Sequence, residues 1–384
     1  MEFRRGLAET RTDSGASAVE KDPGTLLDDP GGIARRDPGG MFGLLAEWPG
    51  QWRSAAARAM DAEWPESPPG GGFRNLVISG MGGSAIGGDL LNACLGDALG
   101  IPLVVNRSDA CPGFVGPGTL FIAVSYSGDT EETLSAAADA LRQGAEVVGI
   151  TSGGALASEC RRAGKAVFAT PGGLPPRQAL AYLFLPMLGL VQALGLAEDP
   201  SPAVEETGQV LSEAASLYGP DVPVSENPAK RLASALHGKI PVVCGVQGRT
   251  AAAATRWRDQ FHENSKNWAA ANALPELDHN EISSWFSLSA LTRRVVCMIF
   301  LEDREDGARM ARRRQLTRDA IAPHVAGTFS VPSRGQSRLA RLFSLVAQGD
   351  FVSCYLAVLN EADPLPVPAI EDLKTALAAD SPEA

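Results

Sequence analysis

From Asn75 to Ala169 the chain alternates short, densely apolar runs with segments of helical period. The order is Asn75–Ser79, a helix from Ser84, Pro102–Asn106, Leu120–Ser125, a helix from Thr130, Glu146–Ile150, a helix from Ala155 and Ala166–Ala169. Strands this apolar are covered on both faces, so the alternation predicts a mostly parallel sheet between layers of helix. A long helix over Arg177–Leu196 closes the unit. Its stretch from Gln178 to Ala197 has no charge over about the length of a membrane span, yet contains Gln178, Pro186 and Gln192, and so reads as a core helix. Glu198–Ala203, with Pro200 and Pro202, has linker composition, and the alternation then begins again. Strand Ile240–Cys244 meets the glycine turn Gly245–Gly248 and a helix through Arg258. Strand Arg294–Leu301, a helix over Glu305–Ala320, strand Thr328–Val331 and a helix from Ser337 follow.

The fold class is therefore α/β, two doubly wound parallel-sheet domains in tandem with C-terminal helices, placed at 41–198 and 204–384. The length of 384 residues suits two cores. Residues 1–40, rich in Gly, Pro, Asp and Arg, are expected to form a poorly ordered extension. Met41 to Glu63 reads as a lead-in helix interrupted at Pro49 and Gly50.

A net charge of −11 without a basic run argues against nucleic acid and anionic membrane as partners, so an anionic substrate must be attracted locally. The six cysteines are far apart and form no CxxC pair, as in a reduced, cytoplasmic protein. With four histidines and no HExxH, a zinc site has little to be made from. The N-terminus shows no apolar signal-peptide core.

Two turns carry the chemistry. In ISGMGGSAIGGD a strand enters Gly80-Met81-Gly82-Gly83-Ser84 and a helix resumes at once, which presents free N–H groups and a hydroxyl to an anion. The string also satisfies GxGxxA through Ala85, but the acidic residue a dinucleotide site needs is Asp109 at best, beyond Arg107 and Ser108. In VSYSGDTEET, Ser125, Ser127 and Thr130 lie between strand and helix, where hydroxyls can ring a phosphate. The competing reading is ordinary N-capping by Thr130 or Asp129. Two such turns at the carboxyl ends of neighbouring strands favour a phosphate site.

GMGGSAIGGD, SYSGDTEETL, PPRQALAY, RWRDQFHENSK and LDHNEI, in this order, resemble the sugar-isomerase (SIS) superfamily, and within it the bifunctional phosphoglucose/phosphomannose isomerases, over residues 41–384. The resemblance implies metal-independent interconversion of glucose 6-phosphate and/or mannose 6-phosphate with fructose 6-phosphate through a cis-enediol, with no cofactor. It implies that Gly82, Gly83 and Ser84 line the sugar side and that Ser125, Ser127 and Thr130 hold the phosphate. Arg177 is implied at the reacting carbons, Glu263 as the general base and His279 as the ring-opening group supplied by the neighbouring subunit of a homodimer. Lys374 matches a lysine of the last helix. Ala85, Asp129 and His262 stand where the family often has Gly, Asn and Asn.

The chemistry suits these residue types. One carboxylate over two adjacent carbons can take a proton from one and return it to the other, and a general base of this kind contributes about 10²- to 10⁴-fold in rate. A fixed guanidinium stabilises the enediolate oxygen. Histidine suits ring opening near neutral pH. Each residue also has a plain reading: Glu263 as a solvated helix end, His279 as a loop histidine, Arg177 as a helix-start partner and Lys374 as part of an amphipathic face. A non-catalytic SIS protein that senses sugar phosphates would keep the serine loop without needing Glu263 or His279.

Overall fold

The computed structural model describes residues 23–66 and 72–379. The first half holds β1 (Asn75–Ser79), α4 (Gly82–Leu95), β2 (Leu103–Asn106), β3 (Thr119–Val124), α5 (Glu131–Arg142), β4 (Glu146–Thr151), α6 (Gly154–Arg162) and β5 (Ala166–Ala169). The strands form one parallel sheet in the order β2-β1-β3-β4-β5. Alternate residues serve opposite faces: Leu76 and Ile78 of β1 join the main core, whereas Val77 packs with Phe121, Ala137 and Leu156 on the other side. Helices cover both faces, which explains why these strands read as unbroken apolar runs.

A 3-10 turn (Pro176–Gln178), α7 (Leu180–Ala193), α8 (Ser201–Leu217) and α9 (Pro228–Leu236) connect to the second half. There β6 (Ile240–Val246), α10 (Ala251–Glu263), β7 (Ala270–Leu274), α11 (Ser289–Val295), β8 (Val296–Glu302), α12 (Gly307–Ile321) and β9 (Gly327–Pro332) follow, with the parallel order β7-β6-β8-β9. Helix α13 (Arg338–Leu359) packs against α8, α9 and α10, and α14 (Pro368–Ala379) ends the described chain. Among the described residues only α13 is long and apolar enough to cross a membrane, and it is buried inside the protein from Leu339 to Leu359. The uncharged stretch at α7 is likewise core, buried from Leu180 to Val191.

Four expectations change. Residues 23–40 belong to the folded body: α1 (Pro23–Leu27) packs on α9 and α13, and α2 (Pro30–Arg36) packs on α1. Leu27 and Ile33 are buried, and the Val224 N–H donates to the Asp28 carboxylate at 2.6 Å. The few apolar residues among Gly, Pro and Asp leave no period to read. Residues 1–22 of the expected extension lie outside the described residues. Helix α3 (Met41–Met60) runs unbroken through Pro49, because packing of Trp48 and Trp52 in the core outweighs the lost N–H bond. The proline-rich linker merges into α8 at Ser201. Strand β7, which the sequence reading lacks, is only half-buried at the sheet edge, and its Ala- and Asn-containing run AANAL has no strand signature.

Candidate active site

The glycine turn and the serine loop close the carboxyl ends of adjacent strands β1 and β3. They are tied together, since the Tyr126 N–H donates to Ser84 Oγ at 3.3 Å. Within the serine loop, Ser125 Oγ lies 2.9 Å from Thr130 Oγ1 and accepts from the Gly128 N–H at 3.1 Å. The Asp129 N–H donates to Ser127 Oγ at 3.3 Å, and Ser127 is exposed. Gly128 has a φ of +83°, and a Cβ there would lie 1.9 Å from the Gly153 carbonyl oxygen, so the loop folds back only around glycine.

The capping alternative fails in its details. Thr130 occupies the N-cap of α5 but makes no side-chain cap bond, because its hydroxyl is turned to Ser125. The Asp129 carboxylate instead accepts from the Ala155 N–H at 2.9 Å, at the start of α6. The carboxyl that departs from the family pattern is thereby drawn toward the positive end of another helix.

Gly83 lets Arg177 approach. A Cβ at Gly83 would lie 3.1 Å from both Cα and N of Arg177, so any side chain would push the arginine's turn off the glycine turn. The segment before Arg177 is clamped by Tyr126, whose hydroxyl donates to the Pro171 carbonyl at 2.9 Å and accepts from the Leu174 N–H at 2.9 Å. A single polar chain therefore runs from Ser84 through Tyr126 to the arginine segment.

Glu263 enters from the other half, as the last residue of α10. Its Oε2 lies 3.4 Å from Arg177 Nη1. The Arg177 side chain is 4% exposed and that of Glu263 25%, so the arginine is buried while the carboxylate keeps some access to solvent. Burial pushes the Glu263 carboxyl above its ordinary value, and Arg177 and Arg256 oppose that shift without cancelling it. Arg177 Nε donates to Asn264 Oδ1 at 2.7 Å, and Nη2 donates to the carbonyls of Pro364 and Leu365 at 2.9 and 2.6 Å. Arg256 Nη2 donates to the Arg177 carbonyl at 2.9 Å while Arg256 and Asp350 form a buried bidentate pair at 3.1 and 2.6 Å.

His279 and Lys374 are not brought to this pair within the chain. His279 ends a 3-10 turn (Glu276–His279) after β7, is exposed, and shares no hydrogen bond or ion pair with the other candidates. Lys374 lies on α14, exposed. His262 is exposed, bonded through Nε2 to Ala269, 3.0 Å from its carbonyl oxygen. Trp257 and Trp285 are buried packing residues. Among the described residues no three His, Cys, Asp or Glu side chains gather as a metal ion would require. An apolar cavity of about 460 Å³ between α3, α7 and α8, lined by Trp52, Leu185 and Val204, contains none of the candidate residues.

Asn264, Arg256, Asp350 and Tyr126 are the residues the motifs did not single out. The signal for Asp350 was present: a lone acid in the apolar run LFSLVAQGDFVSCYLAVL must be paired if buried. Which partner it takes is a tertiary fact.

Two parallel sheets with a glycine turn and a hydroxyl loop at neighbouring strand ends define a tandem-domain phosphosugar-isomerase fold. Residues 225–377 match the bacterial phospho-glucose isomerase C-terminal SIS domain family. A bifunctional phosphoglucose/phosphomannose isomerase of Caldicellulosiruptor bescii is 46% identical over 303 residues, 79% of this chain and 89% of that protein. Its counterpart in Thermoplasma acidophilum is 35% identical over 308 residues, 79% and 90% respectively. The crystal structure of a hypothetical protein from Thermus thermophilus superposes with a TM-score of 0.70 at 18% identity, covering 93% of this chain and 94% of that one, a likeness of fold. The chain belongs to the bifunctional phosphoglucose/phosphomannose isomerase family. That places it among sugar-phosphate isomerases and overturns the reading of a non-catalytic sensor.

Proposed function

We propose that this chain interconverts glucose 6-phosphate and mannose 6-phosphate with fructose 6-phosphate by proton transfer between C1 and C2, without a metal or cofactor. The observation that carries the reading is the Arg177–Glu263 pair, contributed by opposite halves and set against the glycine turn beside the hydroxyl loop.

In this mechanism Ser125, Ser127 and Thr130 hold the phosphate and Gly82, Gly83 and Ser84 face the sugar. The remote dianion fixes the open chain so that C1 and C2 lie under Glu263. The Glu263 carboxylate removes the C2 proton of the aldose, leaving a cis-enediolate, and returns it to C1 to give the ketose. Burial makes that carboxylate a stronger base than an exposed glutamate. The Nη1 edge of Arg177 bears on the developing oxyanion. His279 of a neighbouring copy opens the ring, and Lys374 completes the polar lining.

A homodimer with shared sites is supported by what surrounds those last two residues. Phe286, Leu288 and Leu291, soon after His279, are exposed by 62%, 61% and 54%, and Leu373, beside Lys374, by 55%. Large apolar side chains left bare in groups mark surfaces that another chain covers. The spaced, unpaired cysteines accord with a cytoplasmic setting.

Turnover of each aldose phosphate by purified protein in excess EDTA tests the reading. Saturable activity on both supports it; binding without turnover, or inhibition reversed by zinc, overturns it.

A further inference from the structure

Arg177 belongs to the first half, yet much of what fixes its guanidinium belongs to the second. Asn264, the cap residue just after α10, is fully buried, and its Oδ1 accepts from Arg177 Nε at 2.7 Å. Its Nδ2 donates to Ser353 Oγ at 2.9 Å, and that hydroxyl donates to the Asp350 carbonyl at 2.7 Å. Asp350 in turn holds Arg256, which donates to the Arg177 carbonyl at 2.9 Å. Both the backbone and the head of Arg177 are thus anchored to α13.

A guanidinium is planar, with five N–H donors in a fixed fork. Here Nε is committed to Asn264 and Nη2 to Pro364 and Leu365, so the plane and direction of Nη1 follow. Nη1 is the edge that meets Glu263. An amide suits the place of Asn264 because it accepts on one side and donates on the other; a carboxylate would lack the donor and an alkyl group would lack both.

We propose that Asn264 is a positioning residue for the isomerisation: by fixing Nε against Ser353 on α13, it aims the Nη1 edge of Arg177 at Glu263 and the reacting carbons. The inference rests on the proposed role of Arg177 and goes beyond it by naming what aims the arginine. Asn264 itself touches no substrate.

The test compares Asn264→Ala, Asn264→Asp and Arg177→Ala with the parent protein, using fructose 6-phosphate as substrate and recording kcat, KM, the pH profile of kcat and thermal unfolding. In Asn264→Ala the buried Nε loses its acceptor and Nη1 swings, so kcat falls by on the order of 10- to 10²-fold. KM changes by less than about threefold, because the hydroxyl loop keeps its contacts. Asn264→Asp keeps an oxygen toward Nε but lacks the amide donor to Ser353, so its kcat falls between those of the alanine variant and the parent. Its added negative charge competes with Glu263 for Arg177 and moves the acid limb of kcat to higher pH. The other charged groups acting on Glu263, namely Arg256, Asp259 and Lys266, are unchanged in that variant.

A residue that merely fills space would lower the unfolding temperature of Asn264→Ala while leaving kcat per folded molecule intact. It would also leave kcat of Asn264→Asp at the parent value. That pair of results overturns the inference, and kcat of Asn264→Asp decides alone if the alanine variant does not fold. Full kcat in Arg177→Ala instead removes the role of the arginine, and this inference with it. Loss of activity in Arg177→Ala with unaffected Asn264 variants removes the inference only.

Discussion

Replacing Tyr126 with Phe deletes one oxygen and with it the two 2.9 Å hydrogen bonds that tie the serine loop to the segment before Arg177. The ring, 6% exposed, keeps its packing because Phe has the same outline. Each hydrogen bond lost costs about 1 kcal/mol net, and more where the orphaned partner is sealed from water. Pro171 and Leu174 are only part-buried, so water can reach the freed carbonyl and N–H, and the total stays at about 1–2 kcal/mol. If all of that appeared as misplacement of Arg177 in the transition state, kcat/KM would fall by about 5- to 30-fold. The guanidinium keeps its bonds to Asn264, Pro364 and Leu365, so the expected fall is smaller, below about tenfold. Urea unfolding and steady-state kinetics on Tyr126→Phe measure the two effects. An unchanged unfolding midpoint together with unchanged kcat/KM would refute the claim that this hydroxyl joins the loops, and a loss above about tenfold would show that Arg177 depends on Tyr126 more than on its own bonds.

The double variant Ser127→Ala/Thr130→Ala should weaken binding of fructose 6-phosphate, measured by calorimetry, far more than that of fructose; equal losses would move the phosphate elsewhere. Mixing inactive Glu263→Gln with inactive His279→Ala protein under subunit exchange should restore activity, because a mixed dimer holds one site with both groups; no recovery in proven mixed dimers would place His279 outside the site. Glu263 has to be ionised to act as a base, and burial raises its pKa above the ordinary 4.5. The acid limb of kcat should therefore lie above 4.5, and a limb at or below that value would point to a different base.

Much of the fold was legible because its strands are covered on both faces and its helices carry a clear period. Asn75–Ser79 and Ala166–Ala169 fall where the apolar runs place them. What escaped depends on tertiary context. Leu27 and Ile33 lie in a short Gly/Pro-rich segment without a readable period, and only the packing of α1 on α9 and α13, and of α2 on α1, makes them core. Pro49 ordinarily ends a helix, and only its packed neighbours carry α3 through it. At the site, the glycine and serine turns were readable from local backbone chemistry. Asn264 was not, since an Asn at a helix end looks like a cap until the chain brings Arg177 and Ser353 to its two sides.

The central claim is that one carboxylate moves one proton between adjacent carbons, and isotope exchange reads this most directly. With fructose 6-phosphate in deuterated buffer and excess EDTA, the parent protein should incorporate solvent deuterium at the transferred position. Glu263→Gln should abolish that incorporation while still binding the sugar phosphate. Deuterium incorporation by Glu263→Gln at the parent rate would contradict the account.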